Sequence, residues 1–274
     1  MNQKKKEGKI VRLKNFKFKK EPTFAELWDI CVYNLMYDVK KYLKELLAVF
    51  KEIGISKKSK ILDVSAGGGF PSFELLRDGY QVDCMDAMQD EIDVFMGKAQ
   101  KSKLKVNYKR GFWEELPKLY RDKYDLLMCR GNSFIYADHG WNQEIEIIPE
   151  KSLAKFLEIL KIFYGSLRGG GWLYIDKFND DEVSNKDVVA TVQIDSGKPE
   201  ELIFWTQRFP KKHLRRASML RKGPDGQERG VPNVTYDLRG SELLAMMKSV
   251  GFVNIKQIKL KSDSHFTAWI AQKK

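Results

Sequence analysis

The spacing of hydrophobic and polar positions changes character three times along the chain, and each change predicts a different kind of element. From Glu21 to Lys51 apolar residues recur at helical spacing, from Phe24, Leu27, Trp28 and Cys31 on to Leu46, Leu47 and Phe50. Thr23 stands three residues before Glu26, a capping-box spacing that suits a helix start, and the Gly54 region ends the pattern. From Lys60 onward short apolar runs alternate with amphipathic stretches. Ile61–Val64, the run closing at Asp86, Lys105–Lys109, Tyr124–Cys129 and Trp172–Asp176 read as strands, with helices at Gln89–Gln100 and Ser152–Leu167. That alternation predicts a parallel α/β sheet. Val188–Ile194, Leu202–Phe209, Arg215–Lys222 and Val231–Leu238 then follow too closely for βαβ units, so they predict an antiparallel insertion or lid. A helix over Arg239–Val250 and a hairpin of strands, Val253–Leu260 and His265–Gln272, close the sheet.

The candidate chemistry gathers at the predicted sheet's carboxyl edge. Residues 61–88 read ILDVSAGGGFPSFELLRDGYQVDCMDAM: strand, glycine loop, helix, strand, with Asp86 at the second strand's tip. Such a turn lets a ligand approach the backbone, and Asp86 beside it accepts hydrogen bonds from the hydroxyls of a ribose. Gly111-Phe112-Trp113 lies beyond the third strand, where two aromatics either flank an adenine ring or staple the surface. Arg130-Gly131-Asn132-Ser133-Phe134 follows the fourth, and Tyr136, Asp138 and His139 run on from it. A dinucleotide site would place Gly or Ala at Ser72, and the sheet would end in another βαβ half. Both departures favour a ligand with one ribose and no pyrophosphate.

Composition narrows the class. At 274 residues and 43% hydrophobic the chain buries a full core, as one domain with an insertion. No apolar run approaches the roughly 20 residues that span a bilayer, and the basic start has no apolar stretch behind it, so no membrane contact and no secretory signal are expected. Cys31, Cys84 and Cys129 lie far apart, which predicts a reduced, cytoplasmic protein without a cysteine metal site. Of the formal net charge of +12, residues 1–20 carry +8. That segment reads as a solvated flexible arm, with docking of RNA or an anionic surface as the alternative.

The order of motifs from about Phe24 onward resembles the class I S-adenosylmethionine-dependent methyltransferases. LDVSAGGG with Asp86 is similar to the family's first two motifs, while YDLLMCRGNSF and SLRGGGWLYID are similar to segments of its glycine N-methyltransferase group. The resemblance implies a Rossmann-like, mostly parallel α/β sheet with a C-terminal antiparallel hairpin and an antiparallel β insertion. The implied parts are a basic arm (1–20), a helical cap (21–58), a cofactor-binding core (59–182), a lid (183–238) and the closing elements (239–274). It implies S-adenosylmethionine as cofactor, held by Asp63, Ala66, Gly67, Gly69, Asp86, Ala87, Met88, Phe112, Trp113 and Arg130. Asn132 and Tyr136 would orient the acceptor, with His139 as a base. Tyr33, Tyr37, Lys177, Phe178, Trp205, Tyr236 and Arg239 would surround the acceptor. Phe178 stands where that group carries a carboxylate-clamping arginine, which speaks against glycine and for a larger amine or N-heterocycle.

Methyl transfer from a sulfonium is an in-line displacement that needs alignment and dryness rather than a metal. Two other classes compete with a small-molecule enzyme: a methyltransferase of RNA or protein docked by the arm, and a cofactor-binding regulator without catalysis. The acceptor's identity and the oligomeric state stay open at this stage.

Overall fold

The computed structural model describes residues 13–138, 146–181, 184–230 and 233–274. Its first element corrects the expectation of an arm through residue 20. Lys14–Phe18 is a strand, β1, because Phe16 and Phe18 turn apolar side chains onto a buried cluster while the intervening lysines face out. Thr23 then caps α1 (Phe24–Cys31) in the reciprocal manner its spacing predicts, accepting the Glu26 amide while the Glu26 carboxylate accepts its own. The helical pattern does not run unbroken to Lys51. One π-helical turn (Val32–Met36) leads to an extended Tyr37, and Asp38 caps α2 (Val39–Glu52) by accepting the Lys41 amide. That local bond starts a new helix where the sequence pattern alone suggested continuity.

The core sheet is built from β2 (Lys60–Asp63), β3 (Gln81–Asp86), β4 (Asn107–Arg110), β5 (Tyr124–Cys129) and β6 (Leu167–Phe178). The crossovers carry α3 (Ser72–Arg77), α4 (Gln89–Lys101), α5 (Leu116–Leu119) and α6 (Pro149–Ser166). A lid follows: β7 (Asn185–Ile194), β8 (Glu200–Phe209), β9 (Leu214–Lys222), β10 (Glu228–Arg229) and β11 (Asn233–Tyr236). Helix α7 (Gly240–Val250) and strands β12 (Phe252–Ile258) and β13 (Phe266–Lys273) complete the core.

The core sheet runs β12-β13-β6-β5-β2-β3-β4, with the last five strands parallel and β13 antiparallel to both its neighbours. Every residue of β5 is buried, as a central parallel strand covered on both faces requires. One face packs under α6 and α7 through Phe156, Phe163 and Leu243, and the other under α2, α3 and α4 through Leu46, Phe73 and Phe95. The lid sheet runs β1-β7-β8-β9-β10, with β11 paired to β9 and β1 parallel to β7. Leu27 and Cys31 of α1 share a third apolar cluster with Val192, Leu202 and Met219 of the lid. Helix α1 therefore packs with the lid sheet, whereas α2 packs on the core. Strand order reverses between β3 and β5 on either side of β2, and the crevice opened by such a reversal lies at the strands' carboxyl ends. No helix among the described residues is long and apolar enough to cross a membrane.

Candidate functional site

The turn after β2 is shaped by two left-handed glycines, Gly67 (φ +47°) and Gly69 (φ +113°). A Cβ at Gly69 would lie 2.8 Å from a Phe95 ring carbon, so only glycine lets α4 pack this close to the loop. Asp86 at the tip of β3 accepts the Gly67 amide on one oxygen and the Met88 amide on the other, each at 3.0 Å. Burial raises the Asp86 carboxyl above its ordinary range, and those amides oppose the rise. Tyr108 donates to the Gly67 carbonyl at 2.9 Å, fixing the loop from the β4 side.

Above this turn opens a cavity of about 480 Å³. It brings together Ala66, Gly67, Gly69, Asp86, Ala87, Met88, Phe112, Trp113, Arg130, Tyr136 and Tyr37 from the residues the sequence singled out. The Trp113 indole donates to the Val64 carbonyl at 2.6 Å and stacks on Phe134, whereas Phe112 stands 63% exposed at the rim. Arg130 is 4% exposed, with its guanidinium 4.7 Å over the Tyr42 ring and 5.6 Å over Phe70. Its Nε faces an Asp176 oxygen at 3.8 Å, beyond hydrogen-bonding reach, and neither Nε nor Nη2 has a hydrogen-bond partner. A buried cation with unspent donors on a cavity wall suits an anionic group. Tyr37 donates to Asp263 at 3.4 Å, and burial beside Asp176 pushes that carboxyl up to about 7. Burial keeps the Tyr136 phenol protonated, at about 12, despite its hydrogen bond with Asn233 and the nearby Arg215.

Eight of the singled-out residues do not reach the cavity. Asp63 lies beneath the glycine loop, accepting the Ser72 hydroxyl at 2.6 Å and the Ser65 amide at 3.2 Å, and burial pushes it up to about 6. It supports the loop from below. Asn132 has a left-handed backbone (φ 61°). Its amide donates to Asp176 at 2.8 Å and its side-chain oxygen accepts the Phe178 amide at 3.0 Å, so it ties the tip of β5 to β6 instead of orienting an acceptor. Lys177 is spent on Asp180 and the Phe178 carbonyl, both at 2.6 Å. Phe178 lies under the Arg215 guanidinium at 3.7 Å and against Phe266, and it is Phe266 that reaches the cavity. Tyr236 donates to Glu242 at 2.7 Å with its ring on Phe156, while Arg239 pairs with Asp237 at 3.2 Å. Trp205 sits mid-strand in the lid opposite Ser218 and Lys186. Tyr33 donates to Glu74 at 2.8 Å beneath Lys98. For Phe178 the reason is that the lid packs on the end of β6, whereas Asp63 and Tyr33 are taken up by Ser72, Ser65 and Glu74. His139 lies outside the described residues.

The cavity also has a wall the sequence concealed. Phe24, Trp28, Asp29, Val32 and Met36 of the helical cap line it, as do Phe70, Glu91 and Lys155. The cap residues sit at the same helical spacing as core positions, so periodicity could not separate the two roles. Glu91 resembles any acid in a helix's first turn.

No protein-family profile matches the chain. A ubiquinone biosynthesis O-methyltransferase of Rickettsia bellii is 39% identical over 71 residues, 26% of this chain and 28% of that protein. Its counterpart from Rickettsia felis is 31% identical over 122 residues, 44% of this chain and 46% of that protein. The chain thus matches less than half the length of these curated relatives. Among solved structures, an S-adenosylmethionine-dependent methyltransferase from Clostridium acetobutylicum superposes with a TM-score of 0.65 at 14% identity, over 91% of this chain and 97% of that one. An amino pentose methyltransferase from Micromonospora echinaspora does so at 0.64 and 11% identity, over 93% and 100%. A sugar N-methyltransferase from a Streptoalloteichus species does so at 0.64 and 14% identity, over 93% and 96%. The chain has the Rossmann-like fold of the class I methyltransferases, with an added antiparallel sheet.

Proposed function

We propose that this protein is an S-adenosylmethionine-dependent methyltransferase that methylates a small cationic amine or N-heterocycle. The fold and the short stretches of similarity to O-methyltransferases support the cofactor. So does the cradle itself, in which a Gly69 Cβ has no room and Arg130 keeps two donors unspent. Asp86 would hold the ribose, Met88, Phe112 and Trp113 the adenine, and Arg130 the carboxylate end. When bound, this cofactor supplies a methyl group on a positively charged sulfur. The chain's part is to bind, align and exclude water, which is where most of the acceleration of such a displacement lies.

The observation that carries the acceptor class is the charge of the cavity wall. On a chain of net charge +12, six carboxyl groups line the cavity (Asp29, Asp86, Asp90, Glu91, Glu114, Asp138), of which Asp29 is paired with Lys98 and burial keeps Glu91 protonated, against two lining cations, Arg130 and Lys155. A cleft lined by one sign of charge concentrates ligands of the other and disfavours a phosphate backbone. Trp28, Tyr37, Phe70 and Tyr136 add aromatic faces that favour a cation or a flat ring. Lys155 is held by Glu114 at 2.7 Å and Glu158 at 3.1 Å, and Arg130 would serve the donor, so among the described lining residues no cation is left for the carboxylate of glycine. Tyr136, which lines the cavity, would orient the acceptor's lone pair.

The test is transfer of a labelled methyl group to panels of amines, N-heterocycles, catechols and glycine, with total RNA in a separate arm. Label is expected in an amine or N-heterocycle ahead of glycine. Transfer confined to catechols would favour an O-methyl acceptor, the reading suggested by the similarity to ubiquinone biosynthesis O-methyltransferases. Salt-sensitive labelling of RNA would favour the macromolecular reading.

A further inference from the structure

Glu91 is a group for which neither the fold nor the proposed reaction accounts. It lies in the first turn of α4, is 8% exposed and lines the cavity. Its carboxyl lies against Gly67 and Gly68 of the loop whose Gly67 amide Asp86 accepts. Glu91 Oε2 is fully buried and has no hydrogen-bond partner. A Cβ at Gly68 would lie 3.3 Å from that oxygen and 2.9 Å from an Asp29 oxygen, so the bare backbone of the loop lies directly against both carboxyls. A buried polar atom without a partner costs on the order of 1 to 3 kcal/mol, a cost that a complementary ligand group removes.

The neighbourhood sets the proton on this group. Asp29 faces it from α1, Asp86 from the tip of β3, Asp90 from its own helix and the Tyr108 phenol from β4. Lys98, the cation closest to Asp29, is bonded to that carboxylate at 2.5 Å. Burial first, and then the charges of Asp86, Asp90 and Asp29, push Glu91 up to about 8, so it carries a proton at neutral pH. Burial raises the Asp86 carboxyl too, but each of its oxygens accepts a backbone amide, from Gly67 and from Met88, which favours the charged form. One carboxyl is thus an acceptor and its neighbour a donor, the pattern by which paired acids divide their roles.

We infer that Glu91 is a second anchor for the ribose diol, donating from Oε2 to a hydroxyl oxygen while Asp86 accepts the hydroxyl protons. A vicinal diol offers two O–H donors and two acceptor oxygens, and an acid pair in opposite protonation states satisfies both. This rests on the cofactor reading above. Because the neutral form is the one that donates, the contribution is complete below about pH 8 and is lost as pH rises through that value.

The test is calorimetric binding of S-adenosylhomocysteine and its 2′-deoxy and 3′-deoxy analogues to wild type, Glu91→Gln and Glu91→Met. Glu91→Met, of similar length but without a donor, is expected to weaken the parent ligand about tenfold, and Glu91→Gln by less than about threefold. One of the two deoxy analogues is expected to bind wild type and Glu91→Met equally. Between pH 7 and pH 9 wild-type affinity is expected to fall relative to Glu91→Gln. Equal affinity of Glu91→Met and wild type, an equal loss for all three ligands, or coincident pH courses would each overturn the inference alone. Failure of wild type to bind the parent ligand would overturn the cofactor reading and this with it. Thermal unfolding without ligand shows whether Glu91→Met is folded, and if it is not, the pH courses of wild type and Glu91→Gln decide.

Discussion

Asp86 carries two loads, since the same carboxylate that faces the ligand also accepts the Gly67 and Met88 amides. Asp86→Ala removes both and is expected to weaken cofactor binding by about 1.5 to 3 kcal/mol, the scale for hydrogen bonds to a charged group, with calorimetry as the measurement. Unchanged affinity would take Asp86 out of the site. Phe178 shows where a linear reading misleads. Placing an arginine there, as the resemblance suggests, sets a second guanidinium under that of Arg215, now 3.7 Å over the Phe178 ring. Phe178→Arg is therefore expected to cost about 2 kcal/mol or more of stability in denaturant titration, without creating a preference for glycine. A variant as stable as wild type that gained activity on glycine would reverse that placement. Asp86 was legible because its neighbours in sequence, the glycine loop and two strands, fix it locally. Phe178, Lys177, Tyr236 and Arg239 were not, because their direction depends on how the lid returns to the core.

At the scale of elements, the strands and helices of the core follow the hydrophobic period closely, and Tyr124–Cys129 is a strand with the bounds its apolar run predicts. Several elements escaped the pattern, α5 and β10 among them, and two departures have a plain physical reason. Strand β1 is hidden because Phe16 and Phe18 alternate with lysines in a run whose charge dominates its reading, and its partner β7 lies far away in the sequence. The break at Tyr37 and Asp38 is hidden because the apolar spacing continues across it, while the side-chain cap that causes it is a single aspartate. The strand gives the basic segment a divided expectation. A chain beginning at Leu13 keeps the β1–β7 pairing and is expected to bind cofactor and turn over within about threefold of the full chain, since charges act on a site only within roughly 8 to 10 Å at ordinary salt. A chain beginning at Glu21 loses Phe16 and Phe18 from the lid cluster and is expected to unfold earlier, by about 1 to 3 kcal/mol of lost burial. Equal thermal stability of the two truncations would show that β1 adds nothing to the lid.

Over the whole molecule, α1 and the lid share one apolar cluster while α2 packs on the core, and the cavity is lined both from α1 and from the loops of the core. Trp28 and Asp29 line the cavity from α1, while Leu27 and Cys31 of the same helix pack on the lid strands. A ligand lying between the glycine loop and Trp28 therefore touches both the core and α1, and its binding energy holds them together. At a ligand concentration of about 100 times Kd the liganded state gains about 2.7 kcal/mol. That gain is expected to show as slower amide exchange in Phe24–Met36 and in β9, the lid strand whose Met219 packs in the α1 cluster, as well as in the loop above β2. Strand β12 at the far edge of the core sheet is expected to change least, because β13, β6 and β5 separate it from the glycine loop, whereas Phe266 of β13 lines the cavity. Hydrogen exchange with and without S-adenosylhomocysteine measures this directly. Protection confined to residues 61–90, with α1 and β9 exchanging as in the free protein, would show that the cofactor binds the core alone and that the cap closes only when the acceptor arrives.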